Sequence, residues 1–504
     1  MAEADYDAIV IGAGHNGLVA AAYLARGGAR VLVLEQSSVL GGAARCETPW
    51  PGYTVSTASY VCSLFDPAIV SELDLPRHGF SAYRKEPASF TPLMDGRSLL
   101  LGADAAINAE EIARFSSDDA SGYAAFVDDA ERLGAEIADH FGDERPTLAA
   151  LDSKVRERIN LPAAEYVERF VRTPVLQATL ATDGLIGTYA GPRDPGTTYV
   201  LAHHYAGRLL GAQGAWGFVR GGMGALSAAV AAAARAAGVQ ISNGIEVRSI
   251  SRDDKLRVHC NDDRTFTART VLSNADPQTT FLRLCPSDAF ESGFLARVRE
   301  WRAEGVSFKI NLALGSLPDF AARPGTNPQP HHKATVHVAP DVDYLQRAHD
   351  DARRLGSSSA PMLECFMQTP TDPSLAPQGK HILSIFAQYF PYGTVKGWTK
   401  EQKTAAARTI VETLAQYVPN LLDVLEEWDV ISPADIESRI GIAGGHIFHG
   451  ELLPGQIFED RFDVRTPFAG LYLCGSGTHP GGCVTGVPGR RAARAVLADL
   501  KAAV

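Results

Sequence analysis

The first residues able to do chemistry lie near the start of the chain. Gly12-Ala13-Gly14-His15-Asn16-Gly17 is followed, 18 positions after Gly17, by Glu35 and Gln36. Glycines at these spacings suit a backbone pressed against a pyrophosphate. Gly12 permits a tight turn, Gly14 lets the backbone approach, and Gly17 lets a helix pack closely on a strand. The first N–H groups of that helix, around Asn16, are free to meet phosphate oxygens. A carboxylate at position 35 accepts from a ribose 2′-hydroxyl and repels a 2′-phosphate. The pattern predicts a dinucleotide site.

Two more glycine-rich segments bear on which dinucleotide it is. Gly41-Gly42-Ala43-Ala44-Arg45 follows the acid closely. It resembles the paired-glycine motif of flavoproteins of the amine-oxidase and carotenoid-desaturase group, in which the glycines and the arginine lie against the FAD pyrophosphate. Far along the chain, Leu471–Cys474 leads through Gly475-Ser476-Gly477 and Gly481-Gly482-Cys483-Val484 into another helix. So much glycine between a strand and a helix implies backbone held against a large ligand. The helix start would face the flavin N1–C2=O edge and stabilise negative charge there. FAD is therefore the expected cofactor. No second strand–GxGxxG–helix is found, so hydride is expected to enter from a substrate. It would leave to oxygen, a quinone or another acceptor, with no resident nicotinamide.

The flavin does the hard chemistry, and the protein has one proton to manage. An imidazole titrates near neutrality and suits that task. His449 is the first catalytic candidate and His446 the second, with His203 and His204 behind them. The three-residue spacing of His446 and His449 lies among glycines, outside a helix and without a third ligand, so no metal is expected. His479 is expected to brace the cofactor loop. Tyr389, Tyr392 and Trp398 are candidates for lining an apolar channel.

These residues need elements to hold them. Asp7–Ile11, residues 15–26 and Val31–Glu35 read as a βαβ unit, with Gly27-Gly28 stopping the helix. Residues 80–214 carry amphipathic helical patterns, as over Ala120–Phe141 and Ala163–Leu180. Residues 217–300 return to α/β, with strands at Gln240–Ser242, Glu246–Ser251 and Val271–Ser273 and a hairpin near Asn261–Asp263. Phe308–Leu314 and Ile382–Phe390 are β-rich, Lys400–Val418 is helical, and a last helix covers about Val487–Lys501. The expected fold is α/β: a discontinuous Rossmann-like FAD-binding domain (residues 1–79, 215–300 and 441–504) with an α+β substrate domain (80–214 and 301–440).

Composition narrows the partners. A net charge of −11 over 504 residues argues against nucleic acid, which calls for a basic footprint. Met1–Asp7 is acidic and runs into a strand, unlike a signal or transit segment, and no apolar run is long enough to span a bilayer. The expected location is cytoplasmic, with a peripheral membrane contact, a homo-oligomer and a protein partner left open. Seven scattered cysteines without a CxxC pair read as free thiols, which disfavours disulfide exchange.

Segments along nearly the whole chain resemble the phytoene-dehydrogenase-related flavoproteins. Besides the glycine motifs they include Leu201-Ala202-His203-His204, Gly214-Ala215-Trp216-Gly217, Gly221–Leu226, Leu272-Ser273-Asn274 and Gly444–His449. The resemblance implies that the Val247 backbone contacts the adenine. It also places Gly221-Gly222-Met223 near the isoalloxazine and Thr57-Ala58-Ser59 near the ring or substrate. Two departures stand out: Cys483 replaces an expected glycine, and Ser476 stands where many flavoproteins place an acid. The expected activity is that of an FAD-dependent dehydrogenase or desaturase acting on an apolar small molecule. An amine oxidase and a non-catalytic flavoprotein working through partners are the alternatives.

Overall fold

The computed structural model describes residues 4–393 and 398–502. Along the chain the elements that matter for the site begin with β1 (Tyr6–Ile11), α1 (His15–Arg26), β2 (Val31–Glu35), β3 (Ser89–Pro92) and β4 (Ser98–Leu101). They continue with α2 (Ala105–Ala113), α3 (Ser117–Asp139), α4 (Thr197–Tyr205), α5 (Met223–Ala236), β5 (Gln240–Asn243), β6 (Val247–Arg252), β7 (Leu256–Cys260) and β8 (Thr265–Ser273). The last group is β9 (Ser307–Leu314), β10 (Thr335–Val338), β11 (Met362–Phe366), β12 (His381–Gln388), β13 (Leu425–Ile431), β14 (Leu471–Leu473) and α6 (Val487–Ala502).

The first sheet runs β5-β2-β1-β8-β7-β6, with β14 on the other side of β8. Its β5, β2, β1, β8 and β14 neighbours pair in parallel, which requires crossovers and leaves both faces covered. That explains the unbroken burial of Val31–Glu35. Helix α1 is rich in Ala and Leu and packs on α5 and α6. The contact with α6 is close: a methyl on Gly489 would lie 2.1 Å from the Asn16 carbonyl oxygen.

The second sheet runs β13-β9-β12-β11-β10-β3-β4, and each neighbouring pair is antiparallel except β10–β3. Every residue of β9 is buried, including Lys309. A lysine inside such a strand demands a local reason.

Several expected elements differ in extent: the helix expected over Lys400–Val418 ends at Ala415, and the strand expected over Val271–Ser273 begins at Thr265. The pattern over Ala163–Leu180 splits into helices Ala163–Glu168 and Pro174–Ala181. The break comes where the Arg172 and Thr173 N–H groups donate to the Asp119 carboxylate, at 2.9 and 2.6 Å, just before Pro174. The strand expected to reach Phe390 ends at Gln388. No described helix is long and apolar enough to cross a membrane, and all seven cysteines are free thiols.

Candidate active site

The glycine turn between β1 and α1 is crowded from behind. A methyl on Gly17 would come within 2.2 Å of the Gly12 carbonyl oxygen, and one on Gly14 within 2.7 Å of Asn274 Nδ2. Gly14 and Gly41 form a parallel bridge, and the Gly41 N–H donates to the Ala13 carbonyl at 2.9 Å. The paired glycines are therefore seated on the first turn. Gly42 has φ +57°, and a methyl there would lie 3.2 Å from the Gly14 Cα. Gly475, at the end of β14, backs onto Asn274 in the same way. Asn274 is a hub that the sequence reading assigned only to a resembling motif.

Several buried polar atoms in this cradle lack partners among the described residues. They are Asn16 Oδ1, His15 Nε2 and Arg45 Nε. The rest of the Arg45 guanidinium is held by Glu47 at 2.8 Å and Ser37 Oγ at 3.4 Å. Asn16 Nδ2 donates to Ser476 Oγ at 3.1 Å, tying the first glycine turn to the last. Glu35 accepts from the N–H groups of Ala13 (2.7 Å) and Ser37 (2.8 Å), which fixes it beside the turn. Ile245 N–H donates to the Glu35 carbonyl at 2.8 Å, bringing the start of β6 at Val247 to the end of β2. Gln36 is exposed on the rim and close to Gly441. An uncharged helix start, an arginine with a spare N–H, a carboxylate and methyl-free backbone suit a pyrophosphate-linked dinucleotide such as FAD.

Ala43, Ser476, Cys483 and Val484 also line a cavity of about 560 Å³. It continues from the cradle between the second sheet and helices α2, α3 and α4. Cys483 has φ +71° and Val484 φ +56°. The left-handed backbone explains why glycine is expected at 483, and a side chain there carries a strain of roughly 1–2 kcal/mol. Cys483 Sγ lies 3.7 Å from His204 Nε2. The other ring nitrogen of His204 faces the Asp183 and Val200 carbonyls and must carry the hydrogen, so Nε2 is an acceptor for the thiol.

The two catalytic histidine candidates part company. His449 lines the cavity, with Nδ1 free of partners. Burial, with Arg461 and His446 adding to it against Asp276, brings its pKa down to about 4. It is a neutral hydrogen-bonding group at pH 7. His446 is fully buried and does not line the cavity. Its Nε2 stands 3.4 Å from Glu451, whose carboxylate also takes the Tyr189 N–H (3.1 Å) and the Thr188 hydroxyl. It acts as a brace behind the wall. His203 is buried outside the cavity lining, and His479 also lies outside it, facing the His140 carbonyl at 3.1 Å.

The expected aromatic channel is also displaced. Tyr389 is buried and donates to the Ala190 carbonyl at 2.8 Å. Trp398 packs in the core on Phe308, and Tyr392 lines a separate, smaller cavity. Closeness in sequence did not put them on one face. Gly221-Gly222-Met223 likewise stands off the cavity, packed at the start of α5 against Cys46. Ala58 and Ser59 do line it, and the Ser59 N–H donates to the Ala43 carbonyl at 2.9 Å.

Lys309 is the group the sequence reading missed. Its Nζ donates to the Ser56 carbonyl at 2.6 Å and lies over the rings of Tyr60 (4.9 Å) and Phe366 (5.6 Å), which stack on each other. Burial brings its pKa down to about 7. The available signal was one charged residue in a strand pattern that otherwise carries no charge.

Residues 10–70 match the family model described as an NAD(P)-binding Rossmann-like domain. Pyridine nucleotide-disulfide oxidoreductase domain-containing protein 2 from Mus musculus is 38% identical, the alignment covering 99% of this chain and 94% of that protein. The chain belongs to this oxidoreductase family. A limonene dehydrogenase polypeptide from Castellaniella defragrans is 27% identical (98% of this chain, 95% of its own), and the lycopene-forming phytoene desaturase of a Paracoccus species is 24% identical (98% of each). Among solved structures, a redesigned putrescine oxidase superposes with a TM-score of 0.65 at 16% identity, covering 99% of each chain. The architecture is that of the amine-oxidase and phytoene-desaturase fold, as the glycine motifs led us to expect.

Proposed function

We propose that this protein is an FAD-dependent dehydrogenase or desaturase acting on a largely apolar organic substrate, with electrons leaving to oxygen, a quinone or another diffusible acceptor. The observation that carries the reading is the continuity of one cavity from the glycine cradle to the face of the second sheet. A protein that used the cofactor only to fold would have no need of such a space.

The α1 start and Arg45 would hold the pyrophosphate, Glu35 the ribose, and the backbone near Val247 the adenine. Bound FAD supplies a hydride acceptor at its N5 atom. The chain supplies the rest. Ala58, Tyr60 and Phe386 line the cavity and exclude water from the reacting bond. Lys309 Nζ, neutral in about half the molecules near pH 7, takes up the proton that substrate oxidation releases. His449 and His15 stay neutral, since burial brings them to about 4 and about 3, and they act as hydrogen-bonding walls.

The test has two steps. The purified chain is loaded with FAD, then mixed anaerobically with a panel of terpenes and long-chain compounds. Loss of the flavin band at ~450 nm with at least one of them is expected. Stoichiometric FAD binding with no bleaching across the panel would overturn the catalytic reading.

A further inference from the structure

The cavity end that lies across the second sheet from Lys309 is polar, and nothing above uses it. In register, Lys309 on β9 opposes Phe386 on β12, Phe386 opposes Glu364 on β11, and Glu364 opposes His337 on β10. All four line the cavity, forming one row across four strands. With neighbouring strands ~4.8 Å apart, Glu364 lies about 10 Å from Lys309.

Glu364 is already satisfied. The Tyr60 hydroxyl donates to Oε2 and His337 Nε2 donates to Oε1, each at 3.2 Å, and Ser89 Oγ bonds the other ring nitrogen at 3.0 Å. Burial works against its charge, but His337 and Lys85 hold it ionised. Asp183 and Lys85 also line the cavity, near enough to Glu364 and to each other for their charges to act on one another. Lys85 Nζ donates to Thr335 Oγ1, which leaves N–H groups to spare. By contrast, no donor within the described chain bonds the Asp183 carboxylate, and burial raises its pKa.

An unpaired acceptor and spare donors in one partly buried pocket end, each within the other's electrostatic reach, select a ligand by elimination. A hydrocarbon end leaves both unpaired. A carboxylate pairs with Lys85 only against the charges of Asp183 and Glu364, and an ammonium pairs with Asp183 only against the charge of Lys85. A neutral hydroxyl accepts from Lys85 and donates to Asp183. We propose that the substrate is amphipathic, with an apolar body oxidised near Lys309 and a terminal hydroxyl held between Lys85 and Asp183. This rests on the reading of the cavity as a substrate site.

Four ligands that share one chain test it: decan-1-ol, decane, decanoate and decylamine. Their affinities for the FAD-loaded full-length protein are measured by calorimetry at pH 7.5. Decanol is expected to bind at least about ten-fold more tightly than the other three. Asp183→Asn should strengthen decanoate, and Lys85→Met should strengthen decylamine, each by about ten-fold, reversals that general damage to the fold cannot produce. Equal affinities in the parent protein, or variants that leave the ranking unchanged, would overturn the hydroxyl site while leaving an apolar cavity intact. Failure of all four to bind would overturn the cavity reading and the hydroxyl site together.

Discussion

At the scale of single residues, Lys309 carries the most chemistry. A lysine in water keeps its proton to about pH 10.4, but burial here brings the pKa to about 7. The sign follows directly. The neutral amine accepts a proton, and its fraction grows as pH rises through 7. The rate of substrate-driven flavin reduction should therefore climb between pH 6 and 8 and level off above. Lys309→Met should flatten that limb and slow the step by roughly 10²–10⁴-fold, as stopped-flow absorbance across pH would report. An unchanged pH profile in the variant would remove Lys309 from the reaction. The same residue shows where sequence reading stops. Gly12, Gly14, Gly17 and Glu35 were legible because the turn, helix and strand that use them are contiguous. Lys309, Glu364 and His337 come from three separated strands, and only pairing register brings them to one face. His446 and His449 were paired by spacing, yet the chain turns between them: His449 has φ +56° and the rings face opposite sides of the wall.

At the scale of elements, the cradle depends on backbone surfaces that lack methyl groups. Gly17→Ala places carbon 2.2 Å from the Gly12 carbonyl oxygen, a backbone atom that cannot swing aside, and 3.1 Å from Asn274 Cβ on the other side. The turn must open, so FAD retention through gel filtration should fall at least about ten-fold, with a loss of stability of roughly 1–3 kcal/mol. Gly293→Ala is the matched control, since nothing lies within 4 Å of the added carbon. It should retain the cofactor fully. The βαβ unit and the long strands were readable from periodicity. The split of Ala163–Leu180 was not, because Asp119, more than fifty residues away, takes the N–H groups that a continuous helix would need.

At the scale of the whole molecule, the proposed cofactor would touch segments near residues 14, 42, 247 and 476. Two of them are joined by the Asn16–Ser476 hydrogen bond, by their shared packing on Asn274 and by packing of α1 on α6. A ligand that contacts all four binds the folded chain and has no counterpart site in the unfolded one. FAD at a hundred times its Kd should stabilise the protein by about 2.7 kcal/mol. Calorimetric melting temperatures should rise progressively with added FAD, whereas NAD at equal concentration should leave them unchanged. An equal shift with both would point to a nucleotide site without flavin selectivity.

The row across the second sheet also works as a ruler. Its divisions are strands, so the distance from Lys309 to the acid that neighbours the held end changes in steps of ~4.8 Å and not continuously. Exchanging Glu364 with Phe386 would move the acid one division toward Lys309 while conserving the pair's composition. Relatives that kept this fold but placed the acid on a different strand would be gauges of a different length, each sorting chains by size with the same seven strands.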